Sequence, residues 1–434
     1  MELRRQLGLS ALVMLVVGEV IGVGIFLTPA QMTRALGSPF WLLVVWLVMG
    51  LMALSGALCY GALAARFPEA GGGYVYLREA WGRGLAFLYG WKCLFVLDPG
   101  LTAVFGVGFA SYAAYVTHFT PVAQKLVAIG AIAALGALNV LGLRLGAGFI
   151  RWLSALKLSM LGLLIGWGVV RGLGNWSHFL PFVAQRPGSL PLGAALAAGM
   201  VSAFFSFAGW WDAAKVAGEA RDPSRTLPRA LLLGVAIVTL VYILTTAAFL
   251  YLVPLEQVTT GEAFAAQAGA ALFGRAGGTV FSLVVMVCVL GSLASFLTAA
   301  PRVYYAMARD GVFLRAAGVV HPRFGTPARA ILVQVLLASV LVLLGNFDQI
   351  VAYFIFVTVL FVALTVAGVV PLRLAGGGGA KLAAGCFLLL AAVLLLLLAA
   401  HNPGQALLGT GVVALGWPVY RLVFAGSGRA PLSR

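Results

Sequence analysis

Gly22-Val23-Gly24 and Ser206-Phe207-Ala208-Gly209 are the residues of this chain best placed to grip a ligand with backbone rather than side chains. The first set interrupts an apolar run from Leu9 to about Leu36, the second a run from Leu192 to about Ala217. A helix broken inside lipid leaves N–H and C=O groups unpaired, and these are tolerated only where they line a cavity. A half-helix beginning near Ile25 offers the amides of Val23, Gly24 and Ile25, at a positive dipole end equivalent to about half a charge. Glycine on either side lets a carboxylate approach without Cβ obstruction. The half-helix ending near Ile21 offers carbonyls instead. The second break repeats the pair with opposite polarity, so the carbonyls of Phe205, Ser206 and Phe207 are expected to face the same cavity. Such a field suits a carboxylate and an ammonium together, the constant part of an α-amino acid. A Gly-x-Gly packing seam is the bland alternative. Two breaks in corresponding places weigh against it.

Ionisable side chains inside apolar runs are the second signal. Lys157 stands mid-span in Trp152–Gly168, where a charge is costly and functional by default. It is expected to face the bundle and pair with carbonyls of the first break; a snorkelling lysine is the alternative. Glu19 lies about one turn before that break. Proton carrier, counter-ion to Lys157, contact for a cationic substrate and protonated structural residue all remain open for it. Lys92 and Asp98 share a third span, where Asp98-Pro99 can expose a carbonyl. Asp212, Lys215 and Glu219 recur on one helical face after the second break and are expected to pair within the helix. Trp210 and Leu293 are candidate pocket walls, and Ser292 and Ser295 offer hydroxyls.

The elements that position these groups are membrane spans. The chain is 62% hydrophobic and 9% charged, with a mean hydropathy of +1.05, which excludes a soluble globular class. About 20 apolar residues cross a bilayer. Twelve such segments are legible, near 9–36, 40–66, 84–116, 122–140, 148–171, 192–217, 228–253, 275–307, 328–345, 347–374, 381–400 and 404–424. The fold class expected is an all-α integral membrane protein of about twelve helices. Five precede the Gly172–Pro191 loop and five follow it. Because five is odd, the second set enters from the opposite side, giving a five-plus-five inverted repeat with a site at its interface. The divisions are 1–171, 192–374 and a final helical pair at 380–424.

The net charge of +16 is a topology signal, not a nucleic-acid footprint. With the N-terminus inside, most of the 28 Lys and Arg fall in cytoplasmic loops. Only Arg34, Lys125, Arg171, Arg186 and Arg275 fall outside, and Lys92, Lys157 and Lys215 lie within spans. Both termini are expected in the cytoplasm of a multi-pass plasma or inner membrane protein. No cleavable signal is expected before the first span. A short external amphipathic helix is expected over Glu262–Phe273. Cys59, Cys93, Cys288 and Cys386 read as buried hydrophobes. The four histidines have no metal spacing, and Gly376–Lys381 fails the phosphate-loop pattern. Neither enzyme chemistry nor a cofactor is expected.

Several separate motifs carry a family resemblance over about Leu9 to Leu374. Gly18-Glu19-Val20-Ile21-Gly22-Val23-Gly24-Ile25-Phe26-Leu27-Thr28-Pro29 resembles the first-helix signature of the amino acid–polyamine–organocation superfamily. Pro68–Tyr76, Phe205–Trp210 with Glu219, Asp222-Pro223 and Leu227-Pro228, and Arg302–Gly311 with His321-Pro322 and Thr326-Pro327 are similar to its later motifs. The L-type amino acid transporters are the branch most resembled. The resemblance implies alternating access, substrate carboxylate on the helix 1 amides, and substrate amine on carbonyls of helices 1 and 6. It implies that Phe205 is an aromatic lid and Asn139 a polar residue at the helix 4–5 turn. Lys157 matches a lysine whose ammonium, in sodium-independent members, stands where sodium-coupled relatives hold a cation. Glu19 departs from a usually neutral position, and Val23 from a common serine. Some members attach a glycoprotein subunit through a cysteine in the helix 3–4 loop. Tyr115–Val122 has none, so no disulfide-linked heavy subunit is expected. The expected function is sodium-independent exchange or proton-linked uptake of neutral small-to-medium L-amino acids. A cationic amino acid or polyamine transporter, or a non-transporting sensor, is the alternative.

Overall fold

A computed structural model describes residues 7–424 apart from 23, 70, 143–146, 259–263, 301, 302, 305, 306, 309, 310, 320 and 375–377. The first apolar run forms α1 (Leu9–Val20) and α2 (Gly24–Leu36), bent by 45° at the break. Next come α3 (Pro39–Arg66), the short α4 (Gly73–Trp81), α5 (Arg83–Lys92) and α6 (Asp98–Thr117). α5 and α6 are one span, joined by a π-helical segment, Cys93–Leu97. Pro99 explains it: with no N–H, it cannot bond to the Phe95 carbonyl, which instead accepts from the Tyr353 hydroxyl at 3.2 Å. α7 (Pro121–Val140) and α8 (Ala147–Val170) complete the first five spans.

After the loop, α9 (Leu192–Phe207) and a 3-10 segment (Trp210–Glu219) form the second broken span. α10 (Pro223–Leu252), α11 (Phe264–Ala299), α12 (Ala328–Leu344), α13 (Phe347–Ala367), α14 (Gly378–His401), α15 (Pro403–Ala414) and α16 (Gly416–Val423) follow. α11 has a kink at Phe273–Gly274, so its first part is a separate short helix, as the amphipathic pattern predicts; Glu262 and Ala263 lie outside the described residues. Among the described residues, nine helices are long and apolar enough to cross a membrane, and the bent α1–α2 pair makes ten. The shorter apolar helices Ala155–Val170 and Ala328–Leu344 account for the two remaining expected spans.

The two broken spans lie antiparallel in the bundle. At one end Leu7 forms a parallel backbone bridge to Ala220, and the Arg221 N–H donates to the Leu7 carbonyl at 2.8 Å. At the other, Leu36 packs on Gly199 of α9. α10 flanks both, packing against α1 and against the 3-10 segment of the second.

Candidate functional site

At the first break α1 ends with Ile21 at φ −72°, ψ 65°, outside helical geometry. The Ile21 N–H still reaches the Val17 carbonyl at 2.9 Å, and the Gly22 N–H folds back to Val20 at 2.6 Å. α2 then restarts at Gly24, and helix geometry gives its leading amides, Gly24, Ile25 and Phe26, no intrahelical acceptor. Val23 lies outside the described residues. At the second break Ala208 is extended, at φ −58° and ψ 144°. Gly209 has φ +111°, a conformation that glycine alone adopts without strain.

The breaks touch. A Cβ on Gly24 would lie 2.6 Å from the Ser206 Cα, so only glycine permits this approach. Beside it the Ser206 Oγ is 2.7 Å from the Thr28 Oγ1. These hydroxyls also reach the Ser202 and Gly24 carbonyls, each at 3.0 Å.

The freed carbonyls correct part of the sequence reading. Ser206 does not offer its carbonyl to a cavity, because the Tyr242 hydroxyl of α10 is 2.8 Å away and bridges to the Val20 carbonyl at 2.7 Å. Phe205 gives its carbonyl to the Ala208 N–H at 3.1 Å. Among the described residues, the carbonyls of Ile21 and Phe207 are among those at the two breaks that meet no backbone or side-chain donor. Sequence reasoning missed Tyr242 and Thr28. A tyrosine hydroxyl in mid-span always needs a partner, and that was the available signal.

Lys157 and Ser292 come together as named. The Lys157 Nζ donates to the Ser292 Oγ at 3.1 Å, and Lys157 is 5% exposed. It shares a crevice with Val17, Gly18 and Ile21, so it faces α1 at the break; its bond is to a hydroxyl and not to the carbonyl expected. Ser295 turns back onto its own helix at the Gly291 carbonyl. Asn139 is buried and likewise donates to its own helix, at Leu135.

Phe205 is buried, edge-on to Phe347 and Phe354 at centroid distances of 6.0 and 6.1 Å. Trp210 directly follows Gly209 of the break and lines a narrow crevice with Phe204 and Phe207. Its ring packs edge-on to Tyr60 at 5.0 Å and against Gly56, where Phe387 also closes in. That is a helix–helix seam, the packing alternative for a large aromatic. Leu293 is fully buried.

Glu19 is exposed, although it projects from mid-span and stands against Gly209. A vestibule therefore reaches the break, and Gly18, Ala208, Gly209, Asp212 and Lys215 are each partly exposed there. Asp212 and Lys215 pair at 2.9 Å. In a 3-10 segment residues three apart eclipse one another, which favours this pair. Glu219's side chain lies outside those described. Lys92 is 2% exposed and stacks over Tyr89 and Phe361. Asp98 is 4% exposed. The crevices at Lys157 and beside Trp210 admit no more than about one water molecule. In this conformation Gly24 and Ser206 close upon one another, so a ligand enters only if the spans part.

Breaks that expose peptide groups, a caged lysine and a vestibule describe a carrier for a small polar molecule, and known proteins agree. The amino acid permease family matches residues 7–425. The serine/threonine exchanger SteT of Bacillus subtilis is 31% identical over 375 residues, 86% of this chain and 84% of that one. The b(0,+)-type amino acid transporter 1 of Mus musculus is 29% identical over 377 residues, covering 86% and 77%. The large neutral amino acids transporter small subunit 2 of Oryctolagus cuniculus is 28% identical over 376 residues, covering 86% and 70%. The chain belongs to the amino acid permease family of multi-pass membrane proteins, whose chemistry is amino acid transport and not catalysis.

Proposed function

We propose that the chain carries neutral, small-to-medium L-amino acids by alternating access, without sodium. The substrate carboxylate lies on the leading amides of α2, and its ammonium on the carbonyls of Ile21 and Phe207. The observation that carries this reading is Lys157. Its ammonium, held by Ser292 against the Gly18–Ile21 face of α1, supplies a fixed positive charge beside the break. A bound sodium ion there would meet like-charge repulsion inside a low-dielectric site. Antiparallel packing of the broken spans supports two inverted halves, 1–171 and 192–374, with 380–424 appended. The distribution of basic residues supports cytoplasmic termini.

Apolar Phe205 and Leu293 favour a neutral side chain, as does the name of the serine/threonine exchanger. Asp98 and Glu19 keep the cationic alternative as the second reading. Purified protein in proteoliposomes, in choline buffer at equal pH on both sides, should take up labelled serine or alanine faster when unlabelled amino acid is inside. A preference for arginine would establish the second reading. Binding without counterflow would make the protein a sensor.

A further inference from the structure

The connection between α8 and α9, residues 172–191, turns apolar side chains outward although it lies beyond both spans. Trp176 is 65% exposed and Leu180 68%, and Leu173, Phe182, Val183 and Leu190 are exposed beside them. Arg186 is the one formally charged side chain in this stretch. It turns inward, to Glu256 and to the carbonyls of Gly37, His178 and Leu180. The stretch is tied down at two further points. The Tyr251 carbonyl, near the end of α10, accepts from the Asn175 N–H at 2.9 Å and lies 2.9 Å from the His178 Nδ1. The Phe182 carbonyl accepts from the Phe40 N–H and the Ser38 hydroxyl, both at 3.0 Å, where α3 begins. Rings meet at the same points: the Trp176 centroid is 4.7 Å from that of Tyr251, and Phe182 is 5.8 Å from Phe40. The connection therefore runs along the rim of the bundle, at the level where α10 and α3 end.

We propose that this connection is seated in the interfacial layer of the bilayer, with lipid as the partner that covers Trp176, Leu180, Phe182 and Val183. The spans it crosses present exposed apolar faces, Leu240 and Leu244 on α10 and Leu47 and Leu51 on α3, and such faces meet acyl chains. The connection continues those faces to the depth where amphipathic rings such as tryptophan gather at a membrane–water boundary. At its α8 end the Arg171 guanidinium lies over the Trp167 ring at 5.3 Å, an apolar body with a charged tip that suits the same boundary. In water, contiguous apolar surface of this kind is a site of association; against headgroups it needs no other cover. A protein partner fits less well. The strip follows the perimeter, beside faces that lipid already covers, and offers no outward charge to fix a partner's register. Arg186 joins the connection to Gly37, directly after α2, so lipid seated here bears on the end of the first broken span. The inference needs the membrane-spanning fold and not the substrate assignment.

Nitroxide labels measure this depth. The full chain is reconstituted in phosphatidylcholine vesicles with Cys386→Ala, which removes the one native cysteine that is not buried. Labels are then placed singly by Trp176→Cys, Leu180→Cys and Val183→Cys. Gln257→Cys, exposed in the α10–α11 connection, is the aqueous reference. Dissolved oxygen concentrates in lipid, and a charged nickel chelate stays in water. The ratio of oxygen to nickel collision rates should be severalfold higher at the three loop positions than at the reference. A ratio no higher than the reference overturns the proposal, because the connection then stands in water. Low rates with both reagents overturn it too, because protein then covers the strip, whether a second copy or another chain. The unlabelled protein gives an independent reading. Phosphatidylcholine brominated near its headgroup should quench a larger fraction of tryptophan emission in wild type than in Trp176→Phe, and an equal fraction overturns the proposal. Neither measurement uses a substrate, so failure here leaves the transport reading intact, and failure of counterflow leaves this one intact.

Discussion

A buried ammonium must be compensated where it stands, and around Lys157 the described structure supplies only a serine hydroxyl at 3.1 Å. The charge is therefore under-compensated in this conformation, which is expected if substrate or a moving α1 completes its shell. Lys157→Ala should abolish counterflow while the protein still elutes as a single species in detergent, because an apolar side chain is no burden among Val17, Gly18 and Ile21. Ser292→Ala removes one hydrogen bond to a charged group, worth about 1.5–3 kcal/mol, and should slow transport less. Initial rates of serine counterflow check both, and unchanged kinetics in Lys157→Ala would remove the lysine from the mechanism. Lys157 was legible in sequence because an ionisable residue in mid-span has few structural explanations. Trp210 was not, since an aromatic on an apolar helix states its volume but not its direction.

The two breaks are held by a contact and a bridge of different kinds. The contact is the backbone of Gly24 on that of Ser206, with no space for a methyl group. The bridge is the Tyr242 hydroxyl, which shares its one proton between the Val20 carbonyl that ends α1 and the Ser206 carbonyl one residue before the end of α9. Gly24→Ala forces the spans apart, and overpacking of this kind costs about 1–3 kcal/mol. Tyr242→Phe keeps the volume but leaves the buried Ser206 carbonyl unsatisfied, the Val20 carbonyl keeping the Gly22 N–H, at about 1–3 kcal/mol. Similar losses of thermal stability are expected, with different functional outcomes. Gly24→Ala should lose serine binding, whereas Tyr242→Phe should bind serine and transport it with altered turnover, having freed the Ser206 carbonyl. Equal loss of binding in both would show that Tyr242 lines the site. The positions of the breaks could be read from glycine inside apolar runs. The destinations of their carbonyls could not. They depend on how α10 is rotated against α1 and α9, and an apolar span with a weak polar stripe does not reveal its rotation.

Across the whole molecule, one arginine straps together the connections at one end of the bundle. Arg186, in the loop before α9, ion-pairs with Glu256 in the α10–α11 connection. Its guanidinium also donates to the carbonyls of His178, Leu180 and Gly37, and its backbone N–H reaches Gly37 at 3.0 Å. Gly37 directly follows α2, so the strap ties the far end of the first broken span to the second half of the chain. The basic-residue count placed Arg186 in an external loop but could not name its partners, which come from separate connections. Partial burial pushes the Glu256 carboxyl up, yet the hydrogen bond and charge of Arg186 outweigh it and hold the carboxyl below its ordinary range. A depressed folded-state value means that the stabilisation is complete above the ordinary glutamate range and is lost as pH falls through the depressed value. Glu256 is 61% exposed, so the contribution is small and salt-screened. Wild-type melting temperature should therefore hold through neutral pH and fall in acid. Glu256→Gln should melt lower at neutral pH, converge with wild type in acid, and lose much of the difference in high salt. If the strap also holds its own end of the bundle closed, Glu256→Gln should raise labelling of a cysteine placed at Ala208 by an impermeant thiol reagent added on the strap's side, the native cysteines being mostly buried. Melting curves that overlay at every pH would show that the carbonyl bonds of Arg186 hold the strap without its carboxylate.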